Sequence, residues 1–290
     1  MQFGPVELPV TEHLVKAFAF AIDDYGPLLR QDGFAHAAVV VPDLQRLLNT
    51  RFDPNTMVGL HQKEELFFHS RARIGETAVL HGRCSSTYAK RGKGYFVMEA
   101  EARTADDDRL LVRHRSVEIA EIDPALPTTE GLALDPERRV TCKTRADIEP
   151  VLCATPSLFE GTRVVPLRKS VQQDQIAVFS NAGRFWRSIH TDIEQARSAG
   201  YERTLAQGLM QTMYVSELGA AFFGDAWETS GWIWTTYIHP LLEGETVTIH
   251  AAVSGRRPGP TATWLELETW VETADGTKTA VGWLGAETAR

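Results

Sequence analysis

Two stretches of this chain alternate apolar and polar residues in the same order. In the first, TAVLHGRCSS (77–86), YFVMEAEART (95–104) and RLLVRHRSVEI (109–119) each predict a strand, because β-branched and aromatic residues at a period of two suit a pleated surface with one buried face. In the second, TVTIHAAVSG (246–255), ATWLELETWVE (262–272) and TKTAVGWLGAE (277–287) predict three more, with Asp275-Gly276 as a hairpin turn. Apolar residues at helical spacing lie upstream of each set. They predict helices in EHLVKAFAFAI (12–22) and VPDLQRLL (41–48) of the first half. In the second they predict helices in DQIAVFSNAG (174–183) and in LAQGLMQTMYVSELGAAFF (205–223), where Leu205, Leu209, Met213 and Leu218 form a stripe. His61 and His69 fall on a further predicted strand of the first half, where half-buried polar residues are the favoured reading over a substrate role, as they are for Glu64 and Glu65.

The two stretches are copies. Laying residues 73–118 on 242–287 without a gap gives eleven identities in 46 positions, among them Gly75/Gly244, Glu76/Glu245, Thr77/Thr246, His81/His250 and Asp106/Asp275. Ordinary residue frequencies give roughly three. The shared position of His81 and His250 points to a structural role for both. Helices before strands in each half predict an α+β architecture in which a sheet wraps a central helix. Residues 124–166 carry six of the fourteen prolines and little periodicity, and read as a long connection crossing between two similar domains, 1–123 and 167–290.

Composition narrows the function. With 290 residues, 43% hydrophobic and 23% charged, the chain has ample material for a core. Its net charge of −8 lacks the basic footprint of a duplex-binding protein, so nucleic acid is not an expected partner. No apolar run approaches the roughly 20 residues that span a bilayer. The start, MQFGPVELPVTEH, lacks a basic segment followed by an apolar one, and the expected location is the cytoplasm. The three cysteines (Cys84, Cys142, Cys153) match no zinc spacing and read as small apolar fillers. There is no Walker loop, GxGxxG fingerprint, GxSxG elbow or HExxH pair.

IHTDIEQARSAGYERTLAQG (189–208) resembles the signature of the MaoC-like hydratase/dehydratase family: Ile-His-x-Asp, Ala-Arg, Gly-Tyr, then a small segment opening the central helix. GLHQKEELFFH (59–69), RIGET (73–77) and YAKRGKGYFV (88–97) resemble the amino-terminal dehydratase-like domain of its double hot-dog members. The resemblance implies a double hot-dog fold, in which each half wraps an antiparallel sheet around one helix. It also implies acyl thioesters of coenzyme A or acyl carrier protein as substrates, no metal or redox cofactor, and a possible homodimer.

Dehydration of a 3-hydroxyacyl thioester needs a base for the α-proton, an acid for the leaving hydroxyl and a donor for the enolate oxygen. By the resemblance, the base falls on His190 and the oxyanion N–H on Gly208, with Gln207 in place of the usual His. The family's Asp and Asn positions hold Phe185 and Arg187. The first half departs the other way: placing IDDYGPLL (22–29) on GRFWRSIH (183–190) puts Asp24 at the acid position and Leu29 at the His position. The source of the acid is therefore open, with His190 itself or a water ordered by Asn181 as candidates. Arg187 fits either an enolate-stabilising or phosphate-binding cation or a surface residue. Phe185 and Trp186 are expected on the pocket wall. Asp192 reads either as a substrate contact or as the cap of IEQARSAG. All seven tryptophans lie in the last 105 residues, as an aromatic core or as the wall of a roomy pocket for a bulky acyl or polyketide chain. Arg71, Arg73, Lys90, Arg91 and Lys93 form the main basic cluster, with Arg71 and Arg91 as candidates for coenzyme A phosphates or a carrier's acidic face. The expected activity is a hydro-lyase with an atypical site. Two alternatives stay open: a cyclase, isomerase or thioesterase on the same fold, and a non-catalytic acyl-thioester-binding partner.

Overall fold

The computed structural model describes residues 1–26, 29–52, 60–119, 139–181, 183 and 187–289. The chain begins with strand β1 (Gln2–Pro9) and helix α1 (Glu12–Ile22), the latter with the predicted bounds. Thr11 Oγ1 accepts the Leu14 N–H at 3.1 Å to cap α1, and its stripe Val15, Phe18, Ala19 and Ile22 is buried. Short strands β2 (Arg30–Gln31) and β3 (Phe34–Ala35) follow. A 3₁₀ turn (Ala37–Val40), helix α2 (Val41–Gln45) and a second 3₁₀ turn (Arg46–Thr50) occupy the place of the second predicted helix. Pro42 explains the break: it has no N–H to bond back one turn, and its ring crowds the preceding backbone. The half is completed by β4 (Leu60–Phe68), β5 (Ala72–Arg73), β6 (Thr77–Lys90), β7 (Lys93–Thr104) and β8 (Leu110–Ile119).

The second half runs β9 (Leu167–Ser170), α3 (Gln173–Phe179), α4 (Ile193–Ser198), α5 (Gly208–Phe223) and a short α6 (Trp227–Ser230). It ends with β10 (Trp232–Tyr237), β11 (Thr246–Pro258), β12 (Ala262–Thr273) and β13 (Lys278–Ala289). Ten strands join in one antiparallel sheet, ordered β1-β6-β7-β8-β4-β10-β13-β12-β11-β9, while β2, β3 and β5 make a small second sheet. Each five-stranded half has the same strand sequence read from its outer edge, and the halves meet where β4 pairs with β10 (Phe67 opposite Trp232, Lys63 opposite Thr236). The internal repeat is visible in the register. Ala78 opposite Thr104 recurs as Val247 opposite Thr273, and the hairpins bulge at equivalent places, Cys84/Ser86 and Val253/Gly255.

Residues 139–166 of the expected connection pack along the second half. Glu268 accepts the Thr141 and Cys142 N–H groups at 2.9 and 2.7 Å, and Gly161 and Val164 donate to the Val253 and Ala251 carbonyls at 2.7 and 2.9 Å. This is the architecture expected of an α+β double hot-dog. Among the described residues, no helix is long and apolar enough to cross a membrane.

Helix α5 is buried on nearly every side, so its polar side chains must find partners inside the protein. Gln211 Oε1 accepts from Thr279 Oγ1 at 2.7 Å, the Thr212 hydroxyl meets those of Thr235 and Tyr237 at 2.6 Å each, and Ser216 Oγ lies 2.9 Å from His36 Nε2. Trp227 is fully buried in this core against Gly219, Trp234 pairs across strands with Trp283, and Trp232 and Trp264 are half-buried. A Cβ at Gly219 would come within 2.5 Å of the Trp227 ring. Gly219→Ala is therefore expected to cost about 1–3 kcal/mol through overpacking, partly offset by better helix propensity. Thermal unfolding should show the midpoint lowered by several degrees.

Candidate active site

A cavity of about 390 Å³ lies between the two halves. The first half contributes Gln45, Arg46 and Asn49 of the broken helix, Phe52, Leu60 and His61 of β4, and Glu118 at the end of β8. The second contributes Ser180, Arg187–His190, Tyr201, Leu205–Gly208, Gln211 and Tyr237–Leu241. The seam exists because β4 and β10 are neighbours, which sets the start of β4 beside the start of α5.

The loop holding His190 is fixed from both ends. Leu205 N–H donates to the Ile189 carbonyl at 3.2 Å, and Gln173 Nε2 donates to the His190 carbonyl at 3.1 Å. Thr204 Oγ1 in turn bonds Gln173 Oε1. His190 Nδ1 lies 2.8 Å from the Leu205 carbonyl. Since a carbonyl only accepts, Nδ1 carries the proton and Nε2 keeps its lone pair. Burial pushes the imidazole pKa below the ordinary histidine value, against the smaller opposing effect of the Leu205 carbonyl. His190 is thus a neutral ring with a defined basic nitrogen.

Gly208 is the first residue of α5, so its N–H has no acceptor within the helix and faces outward with the positive end of the helix dipole. The residue must be glycine, because a Cβ there would lie 2.7 Å from the Tyr237 ring. Gln207 precedes it in extended conformation, and its Nε2 donates to Ser180 Oγ at 3.3 Å. Arg187 stands at the rim with its side chain 56% exposed, its Nε 3.9 Å from Asp192 Oδ2.

The other described candidates do not line the cavity, and Asp192 takes the cap reading. Asp192 caps α4, accepting the Glu194 and Gln195 N–H groups at 2.9 and 3.4 Å. Asn181 ends α3 in the left-handed region at φ 53 and is not part of the cavity wall. Arg71 is held away from the cavity by the opposite end of α5, its Nη2 3.2 Å from Asp225 Oδ1 and its Nε 3.9 Å from Glu228 Oε2. Arg91 sits in the β6–β7 turn at φ 54. Phe185 and Trp186 lie outside the described residues. The aromatic side chains of the wall are Phe52, Tyr201 and Tyr237, and none of the six described tryptophans is among them.

The first half keeps a relic of the same arrangement. Ala35-His36-Ala37 opens its broken helix as Ala206-Gln207-Gly208 opens α5. His36 is spent on packing, with Nδ1 2.8 Å from Glu228 Oε2 and Nε2 2.9 Å from Ser216 Oγ. Leu29 is buried at the position matching His190, so this half offers no base. Asp24 accepts the Gly26 N–H at 2.8 Å and has its pKa raised by burial; it does not reach the cavity.

The sequence favoured a strand role over a substrate role for His61 and Glu64, and offered no role in the site for Glu118, Gln45 or Tyr237. His61 Nε2 lies 2.9 Å from Glu64 Oε2 and 3.7 Å from Glu118 Oε1, and His114 Nε2 lies 2.8 Å from Glu64 Oε1. Residues three apart on a regular strand face opposite sides. The irregularity in β4 between His61 and Lys63 brings His61 and Glu64 to one side, which strand periodicity cannot anticipate.

No family model matches the sequence, and no curated protein matches it. Solved structures do share the fold. A MaoC-like dehydratase superposes with a TM-score of 0.74 at 12% identity, over 100% of this chain and 97% of its own. A conserved Mycobacterium tuberculosis protein described as having a double hotdog fold gives 0.67 at 12%, over 100% and 95%. A MaoC-like dehydratase from Phytophthora capsici gives 0.65 at 13%, over 100% and 95%. The chain has the double hot-dog fold along its whole length.

Nitrogen-15 spectra of the labelled protein at pH 7 should show His190 with a protonated Nδ1 and a bare Nε2. Its titration should fall below the ordinary histidine value near 6.5. A midpoint above that value would contradict the burial argument.

Proposed function

We propose that this protein is a hydro-lyase acting on acyl thioesters, dehydrating a (3R)-3-hydroxyacyl thioester or hydrating the enoyl form. What supports this most is the meeting, in one cavity, of a neutral His190 whose Nδ1 is pinned and the free N-terminus of α5 at Gly208. In the dehydration direction, His190 Nε2 takes the proton from C2, and the electron pair moves toward the thioester carbonyl. The Gly208 N–H holds the oxygen that becomes negative. The pair then forms the C2=C3 bond as the C3 hydroxyl departs, protonated, as water. General-base and oxyanion assistance of this kind is each worth roughly a hundredfold or more in rate.

The cavity fits an acyl group better than a whole cofactor thioester, since about 390 Å³ is at the low end for small-molecule sites. Phe52, Leu60, Tyr201 and Leu241 give it apolar walls, suiting a hydrocarbon or aryl chain. The pantetheine and phosphates of coenzyme A or acyl carrier protein then leave past Arg187, whose guanidinium suits a phosphate.

The test is mass spectrometry of purified protein with crotonyl- and 3-hydroxybutyryl-coenzyme A, then longer and aryl thioesters. Gain or loss of one water by wild type, abolished in a folded His190→Ala variant, is the expected result. Free coenzyme A alone would favour a thioesterase, and an unchanged panel an acyl-thioester-binding protein. The acidic limb of the kcat/KM profile should lie below pH 6.5, because activity is lost as pH falls through the pKa of a base that works unprotonated.

A further inference from the structure

The proposed reaction lacks one part: the hydroxyl at C3 must leave with a proton, and the position that the family resemblance assigns to an acidic residue holds Phe185. The opposite wall of the cavity holds a group suited to the task. His61 and Glu118 both line it, and both belong to the half of the molecule that does not carry His190. The Tyr237 ring joins the two walls. It lies against Gly208, and its centroid is 5.0 Å from that of His61 in an edge-on contact. An acyl thioester with its carbonyl at Gly208 therefore sits in a cavity that both His190 and His61 line.

We propose that His61 is the catalytic acid of this site, donating from Nδ1 to the departing hydroxyl, with Glu64 and Glu118 holding its ring in place. Nε2 is occupied by Glu64 Oε2 and the Lys63 carbonyl, each at 2.9 Å, which leaves Nδ1 for the cavity. The Glu64 carboxylate is itself held from behind by His114 and is fully buried. Glu118 Oε1 accepts from Gln45 Nε2 at 2.8 Å. A carboxylate on one ring nitrogen orients the ring and stabilises the imidazolium. The inference rests on the hydro-lyase reading above.

In the dehydration direction, the C2–H bond breaks and its proton goes to His190 Nε2. The C3–O bond breaks with its electron pair going to oxygen, and that oxygen takes the Nδ1 proton of His61 and leaves as water. His190 ends protonated and His61 neutral, and one proton passed through solvent from the first to the second restores the resting state. Hydration runs the same steps backwards.

The charged surroundings agree with this division of labour. His61 faces Glu64 on its own strand and Glu118 on β8, with His114 beyond Glu64 and the neutral Tyr237 on β10. Burial opposes its charge, but Glu118 and then Glu64 outweigh this and raise its pKa to about 9. His190 is shifted the other way by burial. Paired groups whose pKa values are driven apart are suited to act as acid and base at one pH.

The experiment compares wild type with His61→Gln and Glu118→Gln, measuring kcat and KM for hydration and dehydration from pH 5.5 to 10, with thermal unfolding of each protein as the folding control. Gln at 61 can still donate toward Glu64, and Gln at 118 can still accept from Gln45, so each variant keeps a polar group facing its buried neighbour. His61→Gln is expected to lose roughly a hundredfold or more in kcat, with KM changed by less than about threefold. Glu118→Gln should lower kcat and move the alkaline limb from about 9 to lower pH, since an acid fails once pH exceeds its pKa. An active wild type with His61→Gln within threefold of it, or an alkaline limb unmoved in Glu118→Gln, overturns the inference and leaves the hydro-lyase reading standing. A wild type inert on the whole thioester panel overturns both. If His61→Gln does not fold, the limb of Glu118→Gln decides.

Discussion

The pairing of β4 with β10 is the contact on which the rest of the molecule depends. Without it there would be two five-stranded sheets, each wrapped on its own helical segment and each with an open edge. With it, the edges satisfy one another and a single ten-stranded sheet closes over both segments. The same contact brings His61 of one half beside Tyr237 of the other. The cavity is a consequence of this seam, and its walls come from both copies of the repeat.

The copies have divided the work. In the second half, α5 is continuous and its first N–H is open, while His190 is held neutral beside it. In the first half, Pro42 breaks the helix, Leu29 replaces the base, and His36 is turned into a buried partner for Glu228 and Ser216. That second contact reaches into the middle of α5, so the retired half-site now anchors the helix whose N-terminus serves the other one. The polar residues of α5 follow the same logic. Thr212 bonds the Tyr237 hydroxyl, and this positions the ring that covers Gly208 and meets His61.

The sequence by itself determined the repeat, and with it most of the fold. The six repeat-derived strands, α1 and the long central helix are local patterns of period two or 3.6, and such patterns survive wherever one face is buried against the same core. The resemblance to the MaoC-like signature pointed to His190 and Gly208, because that signature is a short, contiguous stretch of sequence. It left open whether Asp192 is a cap or a substrate contact, whether the tryptophans pack inside or line a pocket, and whether Arg71 meets a ligand or solvent. Those outcomes depend on which partner lies nearby in space. Only the tertiary structure decided the opposite wall: His61, Glu64 and Glu118 come together through a strand irregularity and a cross-strand neighbour more than fifty residues away. Periodicity records which face a residue occupies, while the electrostatics of a site depend on distances between faces of different elements, and the folded chain alone sets those.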